Sequence, residues 1–165
     1  MMANDVFKNI DPDEFHGEEL SLHDCVANRI SVEKNAMRFY LPDGFWVTPE
    51  HNANTCGKVV RTDASAVEFS VEDTDDITAR VFTDRRFFGF KKTSAEIWNL
   101  AQLISAVNDQ KCTFEFVSQY RSCHEQLWYC VIHSGKKPYY RECYLHLPVA
   151  KASFYWNKLC LDSEW

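Results

Sequence analysis

The chain has 165 residues, of which 45% are hydrophobic and 15% aromatic, and its formal net charge is −6. A chain of this length and composition buries a core large enough to fold without disulfides or a structural metal, so we expect a single domain over residues 1–165. The overall acidity argues against nucleic acid and anionic membranes as partners, because both require a cationic surface.

The acidic excess belongs to the start of the chain. Residues 1–24 contain seven acidic residues and one lysine, whereas the remaining residues contain equal numbers of acids and bases. We therefore predict an acidic N-terminal arm over residues 1–20. An arm of this charge is suited to steering a basic protein partner.

Cysteine usage and hydropathy predict the cellular compartment. The seven cysteines are an odd number without close pairing, which is typical of reduced thiols in the cytosol. No apolar run approaches the roughly 20 residues that span a bilayer, and the N-terminus lacks the basic and apolar regions of a signal peptide. We expect a cytoplasmic protein that does not interact with a membrane.

Alternating apolar residues predict strands in the first half of the chain. Residues 23–32 and 37–41 are expected to form one β-hairpin, and residues 67–71 and 77–82 a second hairpin around an acidic turn. Between the hairpins, Pro42-Asp43-Gly44 has the composition of a tight turn.

A helical pattern replaces the alternation near residue 94. Apolar residues recur there at helical spacing: Ile97, Leu100, Ala101, Ile104 and Val107. Thr93 and Glu96 have the S/T-x-x-E spacing of an N-terminal capping box. The pattern predicts one amphipathic helix over about residues 94–108.

Three further strands are predicted after the helix, at residues 112–120, 127–133 and 141–147. The spacing of apolar residues in the tail, residues 148–165, fits either a last strand or a helical turn. Short connections imply antiparallel neighbours. The expected fold class is therefore α+β, with a mainly antiparallel sheet that is strongly bent or in two layers and one helix packed against it.

The tripeptide His23-Asp24-Cys25 suggests catalysis by its composition. A thiolate next to an imidazole supplies a nucleophile only if the two groups touch and a third group orients the base. On a strand, His23 and Cys25 share one face and Asp24 lies on the other. We therefore interpret the tripeptide as a structural junction, with no predicted catalytic residue, metal ligand or cofactor.

Residues 86–90, Arg-Phe-Phe-Gly-Phe, partly match the RNP1 signature of RNA-recognition domains, in which strand aromatics stack on bases. Phe87 replaces a glycine of that signature, and Lys92 stands where an aromatic residue is expected. Several strands also precede the helix here, unlike in that fold. We therefore expect a strand whose phenylalanines enter the core, and we do not expect nucleic-acid binding. The cations expected to be solvated are Arg85, Arg86, Lys91 and Lys92.

Leu22-His23-Asp24-Cys25 and the later Pro42-Asp43-Gly44-Phe45-Trp46 resemble motifs of a group of small uncharacterised bacterial proteins. The resemblance covers residues 15–47, and some families of this style are similar to immunity proteins that neutralise a toxin. It implies a β-rich intracellular binding module and no catalytic residue.

These observations favour a non-enzymatic protein-interaction module, immunity-like in character, that binds a basic protein. The predicted binding residues are His23, Asp24, Asp43 and Trp46. An alternative is a small hydrolase or metal-dependent enzyme that uses His23 and Cys25 with His124 or His146. A third is a ligand-binding sheet whose pocket is lined by Phe39, Phe88, Phe116 and Tyr129.

Overall fold

The computed structural model describes residues 6–13, 19–123, 125–148 and 151–163. The strands, in chain order, are β1 (Asn9–Asp13), β2 (Leu20–Ser21), β3 (Cys25–Ala27), β4 (Arg29–Glu33), β5 (Ala36–Leu41), β6 (Trp46–Val47), β7 (Val60–Thr62), β8 (Ser65–Ser70), β9 (Thr78–Phe87), β10 (Phe90–Asn99), β11 (Thr113–Arg121), β12 (Glu125–His133), β13 (Tyr140–Pro148), β14 (Lys151–Trp156) and β15 (Leu159–Cys160). One α-helix, α1 (Leu100–Asn108), and one 3-10 turn, Thr74–Asp76, complete the described elements.

The strands form three antiparallel sheets. The five-stranded sheet has the order β1-β14-β8-β5-β4, the six-stranded sheet β10-β9-β13-β12-β11-β3, and the four-stranded sheet β15-β7-β6-β2. The expected α+β class with mainly antiparallel strands is confirmed for the described residues. The tail, for which the sequence left two alternatives, forms strands β14 and β15.

The segment predicted as one strand over residues 23–32 divides at Asn28. Strand β3 pairs with β11 in the six-stranded sheet, and β4 pairs with β5 in the five-stranded sheet. Cys25 and Ala27 are buried before the division and Ile30 is buried after it. The prediction of a continuous alternation is wrong because the two halves of this segment belong to different sheets.

The predicted second hairpin is also wrong. Strand β8 pairs with β5 and β14, whereas β9 pairs with β10 and β13. The acidic turn between β8 and β9 is capped by Asp73, whose carboxylate accepts from the Asp75 N–H at 2.9 Å. This turn therefore carries the chain from one sheet to the other.

The helix is shorter than predicted and begins after Asn99. Residues 94–99 belong to β10, which pairs with β9 along its full length, so that these residues are held in an extended conformation. The capping box is formed by Asn99 and Gln102, each of whose side chains accepts from the other's N–H at 3.0 Å. The predicted box is wrong, since Thr93 donates its hydroxyl to Asp84 at 2.6 Å. Within the described part of the chain, no helix has the length and apolar character needed to cross a bilayer.

Aromatic side chains connect the five-stranded and six-stranded sheets. The Phe39 ring lies 5.3 Å from that of Phe114 and 5.0 Å from that of Phe116. The Phe69 ring lies 6.3 Å from that of Trp128. All of these side chains are buried in one hydrophobic core, to which both sheets contribute.

Substitution of the central ring should destabilise the fold. Phe39→Ala is expected to lower the free energy of unfolding by about 3–5 kcal/mol, because it removes a fully buried ring and leaves a cavity. Urea unfolding followed by circular dichroism measures this change. Tyr120→Ala, whose side chain is 60% exposed, is the control and should change stability by less than about 0.5 kcal/mol. Equal effects of the two substitutions would contradict the assignment of the core.

Candidate interaction site

Three of the four predicted binding residues meet at the junction before β3. His23 and Asp24 form a turn in which Asp24 has a φ of +55° and donates its N–H to the Phe116 carbonyl at 2.8 Å. The Trp46 indole donates to the His23 carbonyl at 3.0 Å. These contacts do not involve Asp43, which lies on the exposed turn between β5 and β6.

Arg61 connects the members of this cluster, and the sequence analysis missed it. It lies opposite Trp46 in the β6–β7 pair, with its guanidinium carbon 4.3 Å from the indole centroid. Its Nη2 donates to the Asp24 carbonyl at 3.2 Å. Only the register of two short strands brings Arg61 here, so no local sequence pattern indicates it. Because main-chain carbonyls accept these hydrogen bonds, the cluster stabilises the backbone conformation of the junction.

The geometry does not support a Cys25 nucleophile. Its thiol is fully buried and donates to the carbonyls of Ser21 at 3.7 Å and His23 at 3.6 Å. Burial raises the pKa of the Cys25 thiol to about 12, although the nearby Arg61 cation opposes this rise. A thiol with this pKa is almost entirely protonated near neutral pH.

The His23 imidazole is engaged elsewhere. Its Nδ1 donates to the Val117 carbonyl at 2.5 Å, and the residue is exposed, in the turn before the strand. The expectation that His23 and Cys25 share a strand face is therefore wrong. His124 lies outside the described residues, and His146 bonds Glu125 at 2.7 Å. The described residues bring together no group of three or more His, Cys, Asp or Glu side chains suited to a metal ion.

The pocket proposed from four aromatic residues does not exist as predicted. Phe39 and Phe116 are fully buried in the core, whereas Phe88 is 88% exposed at the turn between β9 and β10. A different cavity, of about 320 Å³, lies beside His23 and has Phe69 and Trp128 among its lining residues.

The β9–β10 hairpin extends beyond its sheet. The two strands pair over ten residues each, but only residues 78–82 of β9 also pair with β13. The remainder ends in a two-residue turn at Phe88 and Gly89. Phe87, Phe88 and Phe90 are 72%, 88% and 79% exposed. The prediction that these phenylalanines enter the core is wrong, because none of the described strands or helices covers this part of the hairpin.

Cations flank these aromatic residues on both strands. Arg85, Arg86, Lys91 and Lys92 are all exposed. Lys91 Nζ lies 2.8 Å from Asp84 Oδ2, and hydrogen bonds from Lys91 and Thr93 lower the pKa of Asp84. Residues 84–92, which we call the basic aromatic hairpin, contain four cations and one acid and carry a net charge of +3.

The backbone at the tip is unfavourable for the residue that occupies it. Phe88 has a φ of +45° and Gly89 a φ of +83°, a combination in which asparagine and glycine are the preferred pair. A bulky residue with positive φ costs of order 1 kcal/mol or more. Among the described residues, the exposed Phe88 ring has one ring contact, with Phe87, at a centroid distance of 4.7 Å. Its presence therefore points to a role outside folding.

A groove of about 340 Å³ lies between the basic aromatic hairpin and the β12–β13 connection. Arg86 and Lys91 are among the residues lining one side, and Tyr139, Tyr140 and Arg141 are among those lining the other. Tyr139 and Tyr140 are 59% and 61% exposed. Cationic and aromatic groups therefore continue from the hairpin onto the end of the β12–β13 connection and the start of β13.

The buried thiol should make stability depend on pH. Because the folded protein holds the Cys25 proton more tightly than the unfolded chain does, the stability this thiol contributes is complete below its ordinary pKa of 9.0. It is lost as the pH rises toward 12. Cys25→Ala should therefore lose less stability between these pH values, by up to about 1.4 kcal/mol per pH unit.

Urea unfolding at several pH values measures that slope. Cys123→Ala, which removes an exposed thiol, is the control and should retain the slope of the unmodified protein. Identical slopes for Cys25→Ala and the unmodified protein would contradict the burial argument.

In comparisons with known proteins, no family model, no curated protein and no solved structure matches this chain. Of the features above, the junction fastens the fold, whereas the basic aromatic hairpin has exposed groups that the fold does not use.

Proposed function

We propose that the protein is a non-enzymatic interaction module that binds an acidic region of a partner protein through the basic aromatic hairpin. The observation that carries this proposal is the exposure of Phe87, Phe88 and Phe90 at a tip flanked by four cations. The expected interaction module requires an exposed binding surface, and we assign that surface to the hairpin.

The chemistry of the tip is that of an interface centre. Fully burying a phenylalanine side chain is worth roughly 1.5–3 kcal/mol, so three rings supply substantial gross binding energy. Arginine is enriched among the residues that dominate interfaces. The adjacent cations add specificity for a negatively charged surface. A partner that accepts this tip needs an apolar depression with an acidic rim.

A compact acidic patch suits the charge distribution better than an extended polyanion does. Outside residues 84–92 the chain carries a net charge of −9. A long nucleic acid or an anionic bilayer that contacts the hairpin also approaches this acidic remainder and is repelled by it. A protein patch of the hairpin's own size avoids that repulsion.

Several expectations remain predictions beside this proposal. The acidic arm and its basic partner are among them, because Asp5, Glu14 and Glu18 lie outside the described residues. The immunity-like resemblance of residues 15–47 and the cytoplasmic location are others. We also propose that the five-stranded and six-stranded sheets form two layers, and the ring contacts of Phe39 with Phe114 and Phe116 support this.

Removing the rings should abolish partner binding. The variant Phe87→Ser/Phe88→Ser/Phe90→Ser is expected to capture its partner from native lysate at least about ten-fold less well than the unmodified protein, because it lacks the apolar anchors. Cross-linking followed by quantitative mass spectrometry measures the capture. Tyr120→Ser, which removes an aromatic side chain exposed elsewhere, should bind normally, and both variants should unfold at the same urea concentration as the unmodified protein.

The identity of the captured material decides between partner classes. Nuclease treatment of the lysate and a parallel assay with anionic vesicles test nucleic acid and lipid directly. Capture that nuclease abolishes, or hairpin-dependent binding to vesicles, would contradict an acidic protein partner. Equal capture by the triple variant and the unmodified protein would remove the hairpin from the function.

A further inference from the structure

The outer strand of the basic aromatic hairpin is an open sheet edge. Strand β10 is the first strand of the six-stranded sheet and, among the described strands, pairs with β9 alone. Its ten residues are free of proline, and the β9–β10 register is continuous without a bulge. The other edge strands of the five-stranded and six-stranded sheets, β1, β3 and β4, have at most five residues each. A long, regular edge is a template for pairing with another strand.

The turn determines which main-chain groups of β10 are available. The two-residue turn closes with the Phe87–Phe90 pair, whose main-chain groups bond each other in a turn of this kind. Antiparallel pairing then alternates. The N–H and C=O groups that face β9 belong to Phe90, Lys92, Ser94, Glu96 and Trp98. Those that face the open side belong to Lys91, Thr93, Ala95 and Ile97.

The sequence of β10 is complementary to itself in one antiparallel register. With a two-fold axis at Ser94, Lys92 lies opposite Glu96 of a second copy, and Thr93 lies opposite Ala95. The residues with open-side main-chain groups then face one another, as hydrogen bonding requires. Lys92 and Glu96 lie directly opposite on the same sheet face, where opposite charges attract most strongly.

Neighbouring registers lack this match. An axis at Thr93 places Lys92 opposite Ser94, and an axis at Ala95 places it opposite Trp98. Axes at Lys92 or at Glu96 bring like charges together, which is destabilising. Lys92 and Glu96 are both exposed. Glu96 accepts from the Trp98 indole through Oε2 at 3.3 Å, so its Oε1 is available to a facing lysine.

We propose that two copies of this chain associate through β10 in the register centred on Ser94, joining their six-stranded sheets into one continuous sheet. The contact is isologous, so each copy supplies the same residues and the assembly closes as a dimer. The pairing spans residues 91–97 and leaves Phe87 and Phe88 at two separate tips. The inference thus goes beyond the proposed function, since each dimer presents two binding hairpins.

A competing explanation is that the lysines protect the edge against association, as lysines on edge strands commonly do. Lys91 is already paired with Asp84 at 2.8 Å, which leaves Lys92 as the residue whose role differs between the two explanations. If Lys92 protects the edge against association, reversing its charge leaves a monomer or creates uncontrolled association. Under the proposed pairing, reversal weakens a dimer that a second reversal restores.

Sedimentation velocity from micromolar to hundreds of micromolar protein tests the proposal. The unmodified chain should reach twice its monomer mass of 19.3 kDa. Lys92→Glu and Glu96→Lys should each raise the dissociation constant about ten-fold, since each turns two cross-strand attractions into repulsions. The double variant Lys92→Glu/Glu96→Lys should recover the original constant, because the charges again face opposite charges.

Lys136→Glu is the matched control, because it reverses an exposed lysine in the β12–β13 connection and should not change the dimer. Urea unfolding of each variant at a monomeric concentration separates lost association from lost folding. A chain that stays monomeric over the whole range overturns the proposal. So does a dimer that both single reversals leave intact, or one that the double reversal fails to restore.

Discussion

Contacts between phenylalanine rings of two sheets are the constraint on which the rest of this structure depends. Phe39 from the five-stranded sheet contacts Phe114 and Phe116 from the six-stranded sheet. These rings fix which face of each sheet is apolar. The division of the chain at Asn28 and the passage between sheets at the acidic turn fit this constraint, because each lets neighbouring segments contribute to this core from different sheets. The hairpin is exposed for the same reason, since it continues past the last residues that the core covers.

The local sequence pattern predicted the β4–β5 hairpin and the strands after the helix, which lie close to the predicted ranges. It failed where helical spacing competes with strand pairing. Ile97 and Leu100 have helical spacing, yet residues 94–99 continue the pairing with β9, and the helix starts only after Asn99. The propensities of residues in a short window do not show whether helix formation or pairing with β9 is the more stable outcome.

The candidate sites show the same division. The sequence placed His23 and Asp24 at a junction, and the structure adds Arg61 through the β6–β7 register. The pattern of residues 86–90 predicts that their phenylalanines are buried, because an apolar strand is typical of a core. The exposure of residues 86–90 depends on where the rest of the protein stops covering the hairpin. The sequence of the hairpin itself does not indicate that position. The positive φ at Phe88 is likewise visible only in the folded chain.

The hairpin tip is far enough from the acidic remainder of the protein for salt to screen the charges of that remainder. Phe87 lies five residue steps along the extended strand from Phe82, the last residue of β9 that pairs with β13, a span of roughly 16 Å. The Debye length at physiological ionic strength is about 8 Å, so salt attenuates the field of the body strongly before it reaches the tip. The tip thus presents its own positive potential, and the isoelectric point of the whole chain is a poor guide to what this part of the surface attracts.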